Sequence, residues 1–306
     1  MTSGWTGGQY SVVRALTGLG ASAGIAVAAF QVASGPHAFA MAAAGLLASG
    51  ALALGRFSRT AAVATAIVWL LARRTDGWAV DAAAVAVFAV HAAMAPAPYG
   101  SLDARGRLDP GGGWAMHPWR RALATSALVG VVALLAWTAA HAFANPWRWA
   151  GSIAALLVLA IDPAWIPKRA PGATETLFYD GSCGLCHGAV RFVLAEDPDG
   201  TALRFAPLDS DAFRAAVPDD VRATLPDSLV LATADGRVLT RSAAVLRLGQ
   251  RLGGIWRLLA AIAGAVPGRL QDAAYDRVAR ARHRLFAKPK DACPLLPPHL
   301  RARFLA

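Results

Sequence analysis

The sequence predicts an α-helical membrane bundle of about six spans, followed by a small α/β domain with a C-terminal helical extension. Composition is the first indication, because 56% of the 306 residues are hydrophobic and only 16% are charged. Ordinary soluble domains have about 45–50% and about 25%. The second indication is that the long apolar runs lie within residues 1–170, whereas residues 174–306 alternate short strand-like and helix-like segments. These two ranges are the predicted domains.

The first domain contains six apolar runs. A helix that crosses a bilayer needs about 20 apolar residues, with a range of about 17–25. The fifth run meets this length, the first meets it with Arg14 at the membrane interface, and the third is short. We therefore predict six spans, with five as the alternative. The runs lie at residues 12–33, 37–55, 60–72, 78–95, 122–144 and 147–166.

The distribution of basic residues predicts the orientation. Six spans place both termini on one side, and the loops on that side hold eight Lys and Arg residues against three in the opposite loops. Because positively charged loops stay in the cytoplasm, we expect a multi-pass protein of the cell membrane whose C-terminal domain is cytoplasmic. The eight are Arg56, Arg59, Arg105, Arg107, Arg120, Arg121, Lys168 and Arg169, and the three are Arg73, Arg74 and Arg148.

The net charge of +11 fits contact with the lipid bilayer and its headgroups. Nucleic-acid binding is not predicted, because no basic cluster with interleaved aromatic residues is found on the α/β domain.

The second domain shows the pattern of a small mixed α/β fold. Strands are predicted at residues 176–179, 203–206, 228–232 and 237–240, and helices at 186–195, 210–216 and 242–252. Asp235-Gly236 is a strong hairpin signal, and Ser242 is the predicted N-cap of the last of these helices. The order β-α-β-α-β-β-α is that of a minimal thioredoxin fold.

Two further helices, at residues 255–266 and 269–286, form the C-terminal extension. The second is basic and amphipathic. It is expected either to dock on the membrane surface or the first domain, or to pack on the sheet with a solvated basic face.

Cys183 and Cys186 lie where the first strand of this domain meets its first helix. A helix N-terminus stabilises a thiolate, and it can lower the pKa of a cysteine from about 8.5 to roughly 3.5–7.5. Cys183, predicted to be the more exposed sulfur, would attack a disulfide, and Cys186, facing inward, would resolve the mixed disulfide. The sequence thus predicts exchange with thiols or disulfides of proteins or small molecules, with no cofactor beyond this pair.

Four other residues are predicted to support the pair. Tyr179 is expected to pack beneath it. Asp180 is expected to order the turn and to influence the thiols, with Gly181 at positive φ. Pro226 precedes the third strand, where thioredoxin folds place a cis-proline facing the cysteines. We predict the cis form, although only about 5–6% of X–Pro bonds adopt it, with an ordinary loop proline as the alternative.

Several segments of the second domain occur in a recognisable order. They are YDGSCGLC (179–186), RFAPL (204–208), LPDSLVL (225–231), TRSAAVLRL (240–248) and YDRVARARHRLF (275–286). With them the domain resembles the DCC family of thiol–disulfide oxidoreductases, named for a pattern filled here by Asp180, Cys183 and Cys186. The resemblance covers residues 175–306 and implies a thioredoxin-like fold and redox-active cysteines, but no substrate. Cys293, near its end, is an additional candidate thiol.

The first domain is similar to the multi-span region fused ahead of such domains in some bacterial proteins. The segments concerned are YSVVRAL (10–16), PAPYGSLDARGRLDPGGGW (96–114) and IDPAWIP (161–167). That region is in turn similar to bacterial relatives of the vitamin K-dependent carboxylase membrane domain. No carboxylase activity is inferred from it.

Two alternative functions stay open. One is electron transfer between the cysteines and a membrane quinone or lipid-soluble substrate. Ionisable residues in membrane segments are candidates for functional sites by default. In this chain, the candidates are Asp81, His91 and His141. Interhelical hydrogen bonding or interfacial placement is the favoured explanation of these three residues. The other alternative is a non-catalytic thioredoxin-like module that only binds partners.

Two cofactor sites are alternatives to the redox pair. Residues 183–187 spell the CxxCH attachment motif of c-type haem, but the strand–turn–helix context argues against it, as does the absence of methionine from residues 174–306. A zinc site would need Cys183, Cys186, Cys293 and a histidine, and only one CxxC is present. Neither site is favoured.

Overall fold

The computed structural model describes residues 4–32, 36–71, 78–96, 100–104, 114–140, 147–197, 199–285 and 298–305. The chain divides into two compact units, and the boundary between them falls between Asp162 and Pro163. The sequence suggested a boundary at residues 170–174. Residues 163–173 group with the C-terminal unit, where Arg251 donates hydrogen bonds to three backbone carbonyl groups of this segment.

The helical unit has one α-helix at each of the six predicted apolar runs. They are α1 (Gly7–Val32), α2 (Pro36–Leu54), α3 (Ser58–Leu71), α4 (Trp78–Ala93), α5 (Pro118–Ala140) and α6 (Trp147–Ala160). Among the described residues, three segments are long and apolar enough to cross a membrane: Gly7–Val27, Pro36–Leu54 and Pro118–Ala139. The other three helices have 14, 16 and 14 residues. The six-span count therefore stays a prediction.

Arg14, which the sequence predicts at the membrane interface, is fully buried within the helical unit. Its guanidinium donates hydrogen bonds to the carbonyl oxygens of Leu52, of Ala53 (3.0 Å) and of Gly100 (2.6 Å). The last carbonyl groups of a helix have no intrahelical partner. Arg14 therefore caps the C-terminal end of α2, which explains how its charge is accommodated inside the unit.

His91 and Asp81 both make hydrogen bonds between helices. His91 is buried, with Nδ1 at 3.0 Å from the Tyr10 hydroxyl and Nε2 at 3.1 Å from Thr17 Oγ1. The carboxylate of Asp81 accepts a hydrogen bond of 3.1 Å from the Trp69 indole. Interhelical hydrogen bonding, the favoured explanation for these two residues, is confirmed.

The C-terminal unit contains a four-stranded mixed sheet in the order β2-β1-β3-β4. The strands are β1 (Glu175–Tyr179), β2 (Leu203–Pro207), β3 (Val230–Ala232) and β4 (Val238–Thr240). β1 pairs in parallel with β2 and antiparallel with β3, which pairs antiparallel with β4. The helices are α7 (Gly184–Glu196), α8 (Asp211–Ala216), α9 (Asp219–Arg222), α10 (Arg241–Leu252), α11 (Gly254–Ala263), α12 (Gly268–Leu285) and α13 (Pro298–Arg301). The predicted element order is present, with α9 as an added turn of helix.

The central strand β1 contributes to two apolar clusters, because successive side chains of a strand point to opposite faces. Leu177 and Tyr179 join the cluster that contains the buried residues of α7 and α10. Phe178 belongs to the other cluster, where its ring lies 4.9 Å from that of Phe213. This two-sided burial fixes the end of β1, and with it the start of α7.

The turn between β3 and β4 is confirmed at Asp235-Gly236, where Gly236 has a φ of +79°. The predicted N-cap of α10 is wrong: Thr240 occupies that position, and Ser242 lies within the helix. The Ser242 hydroxyl instead contacts the carboxylate of Asp272 on α12. The side chain of Ser242 therefore connects α10 to α12 and does not cap the N-terminus of α10.

The outer edge of β2 is covered by the last residues of the chain. Phe205 N donates to Arg303 O at 2.9 Å, and Leu305 N donates to Phe205 O at 2.8 Å. Phe304 thus forms a parallel bridge with Phe205. An uncovered edge strand is a template for aggregation, so this segment protects the sheet.

Candidate active site

The Cys183–Cys186 segment begins helix α7 directly after β1. Cys183 is the N-cap residue, in an extended conformation with φ −100° and ψ 120°. Its carbonyl oxygen accepts a hydrogen bond of 3.1 Å from His187 N. Cys186 is therefore the third residue of the helix. Both sulfurs belong to the first turn, where backbone N–H groups lack intrahelical partners and the helix dipole is positive.

Both cysteines are buried thiols, Cys183 with 2% and Cys186 with 8% of its surface exposed. The prediction that Cys183 is the more exposed sulfur is wrong. The reason is that Cys183 follows β1 so closely that it joins the same apolar cluster as Tyr179 and Val190. The packing of Tyr179 with both cysteines agrees with the position expected for it.

Asp180 orders the turn that leads into the helix. Its Oδ1 accepts hydrogen bonds from Ser182 N (2.8 Å) and Ser182 Oγ (2.7 Å), and its carbonyl oxygen accepts one from Cys183 N (3.2 Å). This is an Asx turn. The expected positive φ at Gly181 is wrong, since Gly181 is not among the glycines with positive φ. The carboxylate closes the turn without a left-handed residue.

His187 is a component of the site that the sequence reasoning considered only as part of a haem motif. Its Nε2 lies 2.8 Å from the carbonyl oxygen of Gly181, so this nitrogen is the donor. Its ring packs edge-on against Tyr179, with centroids 5.7 Å apart. The sequence signal that could have identified His187 as part of the site is its spacing, because a residue four positions after Cys183 lies on the same face of the helix.

Pro226 lies in the half-buried segment between α9 and β3. None of the described peptide bonds is cis, so the cis prediction is wrong. The trans isomer is the ordinary state of an X–Pro bond, favoured by about 0.5–1 kcal/mol. Leu229 of the same segment packs against the cluster that contains both cysteines, and its N–H donates to the Tyr275 hydroxyl at 3.1 Å. The supporting role of Pro226 itself stays a prediction.

Comparison with known proteins places this site in a family. A profile of DCC1-like thiol-disulfide oxidoreductases matches residues 177–288, a range that includes the Cys183–Cys186 segment. The protein YuxK of Bacillus subtilis is 37% identical over 144 residues, which cover 46% of this chain and 96% of YuxK. The chain belongs to the DCC1-like thiol-disulfide oxidoreductase family.

A second DCC relative, a chloroplastic protein of Arabidopsis thaliana, is 30% identical over 119 residues, or 39% of this chain and 68% of that protein. No solved structure matches. Membership confirms the resemblance of the C-terminal unit to the DCC family. The profile does not reach the helical unit, whose resemblance to the carboxylase membrane region stays a prediction.

A network of buried ion pairs in the C-terminal unit lies at the opposite end of β1 from the cysteines. Glu175 is buried and accepts a hydrogen bond of 3.0 Å from Arg247 Nε, with Arg251 Nε at 3.7 Å. Asp197 binds Lys168 at 2.6 Å and Arg303 at 2.8 Å. Tyr179 lies four positions after Glu175 along the strand, a distance of about 13 Å. This network therefore holds the unit together and does not act directly on the thiols.

Metal ligation depends on side chains that lie close together in the described part of the chain. There, no group of three His, Cys, Asp or Glu side chains is arranged to hold a metal ion. Cys293 and His141 lie outside the described residues.

Proposed function

We propose that this DCC protein is a membrane-anchored thiol–disulfide oxidoreductase with a thioredoxin-like C-terminal domain, and that Cys183 and Cys186 are its redox pair. The observation that carries the proposal is the position of these cysteines, at the N-cap and the third residue of α7. Family membership supports the type of chemistry. The sheet order and the placement of α7 after β1 support the fold, and the three long apolar helices support anchoring.

The exchange has two steps. The Cys183 thiolate attacks one sulfur of a substrate disulfide, a bond forms between them, and the other substrate sulfur leaves as a thiolate. Cys186, as thiolate, then attacks Cys183 Sγ and releases the second substrate sulfur. The two protons of the cysteines pass through solvent to the released thiolates. Two electrons reach the substrate, and the pair becomes a disulfide. The reverse sequence oxidises a dithiol.

Cys183 is assigned the attacking role because of its position. An N-cap side chain can accept hydrogen bonds from the N–H groups of the second and third helical residues. The Cys183 thiol makes no such bond in this structure, so these bonds are expected to form when the thiolate is generated. Those bonds would stabilise its thiolate. Cys186 is the third residue of the helix rather than its N-cap, and it is assigned the resolving role.

Access to Cys183 requires a local movement, since only 2% of its surface is exposed. Gly181 and Ser182, directly before it, are exposed. We infer that displacement of this short turn admits the substrate while α7 stays folded. The orientation of the basic loops favours a cytoplasmic position for the reaction.

The proposal is tested by trapping, with the full chain in mild detergent and a disulfide-linked reporter peptide. We expect Cys186→Ser to accumulate a mixed disulfide at Cys183 that dithiothreitol releases. Cys183→Ser should abolish exchange. The double variant, which retains only Cys293, is the matched control and should trap nothing. A mixed disulfide on the double variant, or exchange by Cys183→Ser at the original rate, would refute the assignment.

A second candidate function, electron transfer to a lipid-soluble molecule, is favoured by a cavity in the helical unit. The cavity has a volume of about 430 Å³ and an apolar lining that includes Gly20, Trp69 and Phe88. Pockets for small molecules span about 300–1,000 Å³. Thr17, at the cavity wall, connects it to His91.

Oxidation of the cysteine pair by a short-chain quinone in proteoliposomes tests this second candidate. Gly20→Leu fills space in the cavity, because a Cβ at this position meets no atom within 4 Å. Gly130→Leu on α5, equally unobstructed, is the control. Quinone-dependent oxidation should slow severalfold in Gly20→Leu only. Equal rates in both variants, or no quinone-dependent oxidation, would exclude this candidate.

A further inference from the structure

Ten consecutive residues, 261–270, are exposed where α11 ends and α12 begins. Ile262 and Leu270 each have 62% of their surface exposed, and Val266 has 44%. Leu258 on α11 and Val278 on α12 are also exposed, at 50% and 56%. Isolated apolar residues on a surface are ordinary, but these five follow one another closely: Leu258 and Ile262 lie one helical turn apart on α11, Val266 lies in the link, and Leu270 and Val278 lie eight residues apart on α12. We call these five residues the apolar ridge.

Hydrogen bonds and packing hold the ridge in place. Gln271 Nε2 donates to the carbonyl oxygens of Ala263 (3.1 Å) and Val266 (2.5 Å), which ties the start of α12 to the end of α11. On the inner side of α11, Ala260 is buried and the Trp256 indole donates to Glu196 at 2.6 Å. The exposed apolar side chains of the ridge therefore belong to a segment whose backbone is held by these contacts.

The exposed charged residues of α12 beside the ridge are arginines. Both acidic residues of α12 are engaged by the start of α10, Asp272 by Ser242 and Asp276 by Arg241. Arg269 and Arg277 are exposed, and neither has a carboxylate partner among the described residues. Arg280 is also exposed, and its Nε donates to a backbone carbonyl group. On α12, the exposed apolar residues Leu270 and Val278 therefore lie among these three exposed arginines.

We propose that the apolar ridge inserts into the interface of an anionic lipid bilayer, with Arg269, Arg277 and Arg280 at the headgroups. An exposed apolar stripe flanked by arginines is the pattern of a helix that lies in the membrane interface. Anionic phospholipids complement the three positive charges. The inference rests on the membrane anchoring proposed above, because an anchored chain keeps this surface close to lipid.

Spin-label accessibility in the full chain tests the inference. With Cys183, Cys186 and Cys293 replaced by serine, a label is attached through Ile262→Cys, and a control label through Ala234→Cys in the exposed β3–β4 turn. The protein is reconstituted in phosphatidylcholine with and without phosphatidylglycerol. In anionic bilayers we expect position 262 to be severalfold less accessible to a water-soluble nickel chelate than position 234, and more accessible to oxygen.

Replacing the three arginines by glutamine should return position 262 toward the accessibility of position 234. Equal nickel access at the two positions in anionic bilayers would overturn the proposal. Low access to both nickel and oxygen would also overturn it, since it would show that protein covers the ridge. Insertion that is independent of phosphatidylglycerol would refute the anionic preference. Disulfide exchange is measured separately on the chain with its cysteines, so a failure of the ridge is distinguishable from a failure of the redox assignment.

Discussion

The imidazole Nε2 of His187 donates a hydrogen bond of 2.8 Å to the carbonyl oxygen of Gly181. This bond spans Cys183, which lies between the two residues in sequence, and ties the first turn of α7 to the exposed turn before it. Together with the Asp180–Ser182 hydrogen bonds, it holds that turn in place next to a buried sulfur. We therefore expect His187 to limit access to Cys183.

Replacement of His187 by phenylalanine should speed alkylation of Cys183 severalfold. The variant keeps an aromatic ring beside Tyr179 but loses the donor to Gly181, so the turn is released while the packing stays. The measurement is the rate of iodoacetamide labelling at Cys183, followed by mass spectrometry in a Cys186→Ser background. His299→Phe, at an exposed position, is the control. An unchanged rate in His187→Phe would show that the bond does not control access.

Local signals were sufficient to locate the site. The junction of β1 and α7 could be predicted because a short apolar strand, a turn with Asp180 and a helical spacing of apolar residues follow one another within about twenty residues. The Asx turn depends only on residues two positions apart. The hairpin at Gly236 was predictable for the same reason, since a left-handed residue is required there.

Features that depend on distant residues could not be predicted in this way. The apolar cluster that Cys183 joins at the end of β1 also contains α10 residues such as Leu248, about sixty positions later. Ser242 was predicted to be an N-cap because serine is common at that position. Its actual partner, Asp272, lies thirty positions away and gives no local signal. The buried position of Arg14 depends on the carbonyl group of Gly100, 86 residues away. Sequence spacing carries no information about such pairs.

Replacement of Glu175 by glutamine should strongly destabilise the C-terminal unit. The variant leaves Arg247 and the buried Arg251 without their carboxylate, and removing one partner of a buried ion pair costs about 3–5 kcal/mol. Because Cys183 and Cys186 are buried, their alkylation rate in increasing urea reports unfolding of this unit. Arg237→Gln, which breaks the exposed pair with Asp235, should change stability by less than about 1 kcal/mol. Equal effects of both substitutions would contradict a structural role for Glu175.

Asp235 should titrate unusually low for an exposed carboxyl group. The neighbouring Thr233 side chain and then Arg237, whose Nε donates to Asp235 Oδ2 at 2.9 Å, lower the pKa of Asp235 from 3.8 to about 2. Because the folded value is below the unfolded one, the turn gains stability above pH 3.8, and this gain is lost as the pH falls toward 2. Thr233→Val should raise the pKa toward its ordinary value. Carboxyl carbon shifts of labelled aspartate measure both titrations, and a midpoint near 3.8 in the unmodified protein would refute the prediction.

Replacement of Arg303 by leucine should release the final residues of the chain from the edge of β2. The guanidinium of Arg303 binds the Asp197 carboxylate at 2.8 Å and the Leu203 carbonyl oxygen at 3.1 Å, while the Arg303 carbonyl group accepts from Phe205 N. Asp197 keeps its contact with Lys168 in the variant, so the expected cost is about 1–3 kcal/mol, that of buried groups left without a partner.

Hydrogen–deuterium exchange measures this release most directly. In Arg303→Leu, the amides of Phe205 and Leu305 should exchange faster, because the hydrogen bonds between them are lost first, whereas the amides that pair β1 with β3 should keep their protection. Arg214→Leu removes an arginine from an exposed pair with Asp211 and should leave both sets unchanged. Faster exchange throughout the sheet would mean that Arg303 supports the whole unit. Unchanged exchange at Phe205 would mean that the strand pairing alone holds the edge.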